Sequence, residues 1–214
     1  MDLRWNRFIS DLAVAFPGSA ETIHLQQKSI YKSLDGLYNP RRRHYHSFQH
    51  IAHCIDLLRQ IPDTGLELEG ALWFHDAIYD PTAGDNERQS ADLAVSSLGR
   101  FKVPEEFLKS VDSLIMATAH LNTDFSIDNI KQGLIHDIDL SILGSSRRRF
   151  LEYERGIRLE YGHMDESTYR LRRTAVLRSF LSRDTIYVTD RLKAIFEKKA
   201  RRNLAWLVGK LNRV

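Results

Sequence analysis

Three short segments of this chain carry residues suited to holding a cation or moving a proton. His44, His46, His50 and His53 fall within ten positions of one another. Twenty-five residues after His50, the pair His75-Asp76 follows the apolar run Leu72-Trp73-Phe74. Farther on, Asp137 and Asp139 sit among the aliphatic residues of Ile135-His136-Asp137-Ile138-Asp139-Leu140-Ser141-Ile142-Leu143. Burying an imidazole or a carboxylate is costly unless something satisfies it, and acidic side chains are rarely buried unpaired. A divalent metal ion removes that cost, because it accepts the imidazole lone pair and neutralises the carboxylate. One His, a His-Asp pair and a distant Asp supply three or four protein ligands and leave positions for water, the arrangement that metal-assisted hydrolysis needs. The plain alternative is that Asp76 bonds a backbone amide and His75 a core carbonyl. The pair taken alone favours that alternative; the acidic third segment shifts the balance toward a metal.

Helices must bring these segments together, and the apolar spacing predicts them throughout. The first runs over about 3–16 on the stripe Leu3, Phe8, Leu12 and Phe16, and Pro17-Gly18 stops it. A second covers about 20–37 and ends near the turn signal Asn39-Pro40. Ser47 can cap a third, about 48–60, which sets His50 and His53 one turn apart on a shared face. A fourth, about 67–78, offers Leu68, Ala71, Leu72 and Ile78 to a core and carries the His-Asp pair. After the loop Asp80–Asp85, Asn86 is the expected N-cap of a helix reaching about Leu98, with Glu87 in its first turn. The next begins with Pro104 in its first turn and carries Phe107, Val111, Leu114 and Ile115. Further helices are expected at about 127–143, 146–161, 167–182 and 190–212. Thr185–Thr189 is a short ambiguous run, and sustained strand alternation is absent. The predicted class is all-α, a single-domain helical bundle.

Composition narrows the function classes. The chain has 214 residues, 43% hydrophobic and 28% charged, the size and balance of one soluble domain. No stretch approaches the roughly 20 apolar residues that cross a bilayer. The opening Met1-Asp2-Leu3-Arg4-Trp5-Asn6 lacks the basic-then-apolar layout of a signal peptide, so a cytoplasmic protein is expected. Cys54 is the sole cysteine, which excludes an internal disulfide and a cysteine-based zinc site. The net charge of +3 conceals an asymmetry, −7 over residues 1–146 and +10 over residues 147–214. An acidic part can supply metal ligands and a basic part phosphate-binding cations, although a basic surface is more often simply solvated.

Four segments, His44-Tyr45-His46-Ser47-Phe48-Gln49-His50-Ile51, Phe74-His75-Asp76-Ala77-Ile78-Tyr79, Asn86-Glu87-Arg88-Gln89-Ser90-Ala91 and Asp137-Ile138-Asp139-Leu140, occur in that order. Together they resemble the HD superfamily of metal-dependent phosphohydrolases, named for its His-Asp doublet, and in particular a bacterial group of uncharacterised predicted HD hydrolases. Ile157–Tyr161 and Ala200–Leu204 extend the likeness, which spans about 40–205. An isolated doublet is weak evidence; four ordered motifs with sensible spacing are strong.

The resemblance implies an HD-type helical domain, with a metal-binding core over about 44–145 and a basic helical part over about 146–214. It makes His50, His75, Asp76 and Asp139 the metal ligands. His50 stands ahead of His46 and His53 because Ile51 and Ile55 follow it as in the family's first-ligand helix. Asp139 stands ahead of Asp137 because the family's last ligand usually sits directly before the helix's apolar continuation. Mixed nitrogen and oxygen donors suit Mn, Fe, Mg, Co, Ni or Zn. Glu87, within the Asn-Glu motif, and Asp80 are the candidate catalytic carboxylates. Relatives that hydrolyse alarmones have two adjacent acidic residues where this chain has Tyr79-Asp80, a departure that speaks against that particular activity.

For substrate binding the candidates are His120 and the guanidinium groups of Arg43, Arg158 and Arg173, with Arg183, Arg201 and Arg202 behind them. Arg41-Arg42-Arg43 gains weight from lying beside the histidine cluster, whereas Arg147-Arg148-Arg149 is expected to be exposed. The implied substrate is a phosphomonoester, phosphodiester or pyrophosphate of a nucleotide-like small molecule, and a homo-oligomer is left open. The rival reading is a non-catalytic module with a structural metal that binds a nucleotide or nucleic acid. Tyr153, Tyr161, Tyr169 and Phe180 lie among the basic residues, but at helix-core spacing, which ranks nucleic acid low.

Overall fold

Apolar side chains three and four residues apart give each helix one face to bury, and the computed structural model follows that spacing over the residues it describes, 1–38, 43–120 and 127–212. Among these residues there are ten α-helices, two short 3₁₀ turns and no strand, so the chain is all-α. No helix among them is long and apolar enough to cross a membrane. The residues gather into two compact units, Met1–Ser126 and Ile127–Val214, and the division falls inside the span 44–145 assigned above to a metal-binding core.

The first unit is built around one short helix. α1 (Leu3–Ala15) buries Trp5, Phe8, Ile9 and Leu12, and α2 (Ala20–Leu37) buries Ile23, Ile30 and Leu34. α3 (Phe48–Leu58), α4 (Leu66–Phe74), α5 (Asn86–Gly99) and α6 (Glu105–Met116) complete it. α4 packs against α1, α3, α5 and α6, and its seven residues Leu68–Phe74 are all buried. A helix apolar on every side has nowhere to go but the interior. The one acid in that run, Glu69, accepts from the Arg59 guanidinium at 2.7 Å. Trp73 stands edge-on to Trp5 with ring centres 5.2 Å apart, a contact worth about 0.5–1.5 kcal/mol beyond the area buried.

Three sequence expectations shift here. α4 ends at Phe74 rather than near 78, so His75 and Asp76 lie just past its last turn. Asp85 takes the N-cap position of α5; Asn86 instead turns back to the loop, accepting from the Asp80 amide at 2.9 Å and donating to its carbonyl at 2.8 Å. Pro104 is the N-cap of α6 rather than its first helical residue. The turn expected at Asn39-Pro40 lies outside the described residues.

The second unit holds α7 (Ile130–Asp139), α8 (Arg147–Glu160), α9 (Glu166–Leu181) and α10 (Asp190–Leu211). The helix expected over 127–143 divides: α7 ends at Asp139 and a 3₁₀ turn carries on over Leu140–Gly144. That turn lies so close to α10 that a Cβ on Gly144 would come within 2.6–2.9 Å of Phe196 Cβ, Cα and O. Glycine alone fits this contact. Thr185–Thr189 is not a strand. Its amides go to carboxylates, those of Ile186 and Tyr187 to Glu197 and those of Val188 and Thr189 to Asp137, while the Ile186 and Tyr187 side chains are fully buried.

Candidate metal centre

A helix end leaves its last carbonyls without intrahelical partners, and at the end of α4 side chains from elsewhere in the first unit take them up. The Tyr38 hydroxyl donates to the Trp73 carbonyl at 3.1 Å. His75 Nδ1 lies 3.0 Å from the Leu72 carbonyl. The Arg43 guanidinium donates to the carbonyls of Asp76 and Ala77, the latter at 2.7 Å. The Ser90 hydroxyl clamps the next residue, accepting from the Ile78 amide at 3.0 Å and donating to its carbonyl at 3.2 Å. The segment 75–78 is thereby held residue by residue.

The Leu72 carbonyl can only accept, so the bond to it places a proton on His75 Nδ1. In neutral imidazole that leaves Nε2 as a bare lone pair, the second-ring-nitrogen arrangement typical of metal-binding histidines. This Nε2 faces His50 Nε2 at 3.0 Å, and Asp76 Oδ2 lies 3.2 Å from the first and 3.4 Å from the second. Both histidines are buried, with exposures of 1% for His75 and 4% for His50. Asp76 Oδ2 is itself buried and accepts no hydrogen bond among the described residues.

Burial alone would push the Asp76 carboxyl up. The neighbouring imidazoles of His75, His46 and His50 outweigh it and hold the group well below the usual carboxylate range. Two ring nitrogens and a carboxylate oxygen thus converge at the end of α4. Donors at about 2.1 Å from one ion are separated by about 3.0 Å at right angles and about 3.4 Å at the tetrahedral angle. The observed triangle of 3.0, 3.2 and 3.4 Å matches one face of such a shell. The His50–His75–Asp76 group could hold a metal ion.

The alternative residues weighed in the sequence lie in different surroundings. His53 lies on α3 near Asp56, whose carboxyl it helps to lower after the larger effect of Arg4, whereas His50 meets His75. The His46 ring stacks on Tyr79 at 3.9 Å. Asp137 is spent on structure: its carboxylate accepts from the Val188 amide at 2.8 Å and from the Thr189 amide and hydroxyl at 2.7 and 2.5 Å. Asp139, in the second unit, is the last residue of α7 and is half-buried.

Among the other expected site residues, Glu87 sits in the first turn of α5, half-buried. Asp80 closes its own turn, Oδ1 accepting from the Thr82 amide and hydroxyl at 2.8 and 2.7 Å. His120 follows α6 and is half-buried. The three arginines expected to bind phosphate each have partners within the chain. Arg43 is tied to main-chain carbonyls, as above. Arg158 donates to the Tyr161 and Met164 carbonyls at 3.0 and 3.2 Å and to Glu166 at 3.1 Å. Arg173 is a buried partner of Glu154, at 3.1 and 2.5 Å, and of the Tyr153 hydroxyl at 2.8 Å. Arg201 likewise bonds Glu197 and the carbonyls of Leu181, Arg183 and Asp184. Arg41 and Arg42 lie outside the described residues.

Sequence reasoning missed Tyr38 and Ser90. Ser90 lies in the Asn86–Ala91 motif, which drew attention only to Glu87; Tyr38 carries no sequence signal beyond being an aromatic at a helix end. Compared with known proteins, the chain matches no family model, no curated protein and no solved structure.

Proposed function

We propose that this protein is a metal-dependent phosphohydrolase of the HD type, acting on a phosphate ester or pyrophosphate of a nucleotide-like small molecule. The observation that carries the reading is the convergence of His50 Nε2, His75 Nε2 and Asp76 Oδ2, with no hydrogen bond to Oδ2 among the described residues. The resemblance makes Asp139 a further donor, and the neighbouring carboxylate of Asp137 holds Val188 and Thr189. A bound ion of the Mn, Fe, Mg, Co, Ni or Zn group would supply an acidified water and polarise the phosphoryl oxygen.

The chain's own residues set the rest. The Leu72 carbonyl fixes the His75 ring, and Asp76 brings a charge that neutralises the cation. Glu87 takes precedence over Asp80 as the carboxylate that moves a proton, since one Asp80 oxygen is held by Thr82. His120 is kept as a substrate contact.

The test is phosphate release from a panel of nucleotides with added Mn, comparing wild type with Glu87→Gln. Wild type should release phosphate, and Glu87→Gln should be slower by about 10²–10⁴ while still binding the metal. A metal-loaded wild type inert across mono-, di- and pyrophosphate esters sinks the hydrolase reading.

A further inference from the structure

Arg43 is 7% exposed, and its hydrogen bonds go to the main chain. One terminal nitrogen donates to the carbonyls of Asp76 and, at 3.3 Å, His46; the other donates to Ala77 at 2.7 Å. The same guanidinium lies over the rings of Tyr38 and Tyr79, 5.1 and 5.9 Å from their centres. It therefore touches both chain segments that present the triangle: the stretch 43–46 that leads into α3 and His50, and the end of α4 that carries His75 and Asp76. A cation beyond the last turn of α4 also suits the negative end of that helix.

We infer that Arg43 is a positioning residue that sets the separation of His50 from the His75-Asp76 pair, and so tunes metal affinity without touching metal or substrate. The inference rests on the proposed metal centre. The fork is what matters: planar guanidinium reaches two successive carbonyls at fixed spacing, whereas the point charge of lysine holds one at a time. Outer partners that orient metal ligands typically govern affinity by about 10- to 100-fold.

The experiment titrates the full-length protein with Co²⁺ and follows the visible absorption, which reports affinity and ligand geometry together. It compares wild type, Arg43→Lys and Arg43→Ala. Arg43→Lys should bind about 10- to 100-fold more weakly, with an altered band shape. Arg43→Ala should fall at least as far and recover in part with millimolar guanidinium. If Arg43→Ala does not fold, Arg43→Lys decides alone. Wild-type affinity and an unchanged spectrum in Arg43→Lys overturn the inference and leave the metal centre standing, even if the apo-protein melts earlier. No Co²⁺ band in wild type removes the metal centre, and the inference falls with it.

Discussion

Asp76, Asp137 and Glu69 are acids set in the interior, and each meets its surroundings differently. Asp137 accepts hydrogen bonds from the Val188 and Thr189 amides and the Thr189 hydroxyl. Glu69 is held by the Arg59 guanidinium. Asp76 has imidazoles around an oxygen that accepts no hydrogen bond among the described residues. Such a buried oxygen in a native fold calls for an explanation, and a cation held between it and the two imidazole rings would provide one. Glu69 gives a pH test of the core around the site. Burial raises its carboxyl above the ordinary value of 4.5, and Arg59 offsets only part of this. The fold thus binds that proton more tightly than the unfolded chain. The resulting stability is present in full below the ordinary glutamate range and lost as pH rises through the raised folded value. Glu69→Gln stays neutral throughout. Its melting temperature relative to wild type should climb as pH is raised across that window; a pH-independent difference would contradict this.

Among the elements, the connections that matter are made by side chains reaching helix ends. Asp137 ties the last turn of α7 to the start of α10, whose N-cap is Thr189. Asp137→Ala should lower stability by on the order of 3 kcal/mol in denaturant unfolding, because buried donors lose their acceptor, while the folded variant still binds metal. Asp139→Asn should do the reverse, losing metal affinity with little change in stability. If the two variants exchange behaviours, the assignment of Asp139 is wrong. Helix positions were legible in the sequence because apolar spacing records which face is buried. Helix ends were less so: α4 stops before His75 because Tyr38, Arg43 and Ser90, distant in sequence, take the main-chain groups there. Periodicity does not register such partners. The His-Asp doublet was visible as polar residues behind an apolar run, and the resemblance put His50 ahead of His53. The ring nitrogen of His75 facing His50 at 3.0 Å was not legible, because it depends on how α3 and α4 pack.

For the molecule as a whole, the +10 charge of residues 147–214 suggested phosphate-binding arginines. Of its cations, Arg158, Arg173 and Arg201 pair with Glu166, Glu154 and Glu197 of the same part. Sequence could not separate the uses, since the fork that fits a phosphate fits a carboxylate or two carbonyls equally well. The feature that stands out is the His50–His75–Asp76 triangle just past the end of α4. The most direct measurement is therefore the metal content and Mn affinity of the purified wild type beside the His75→Ala/Asp76→Ala double variant. The expected result is about one or two ions held by wild type and none by the variant, with both folded. If both are folded, metal-free and indifferent to added Mn, His75 and Asp76 form only a buried ion pair, and the metal-centre reading is wrong.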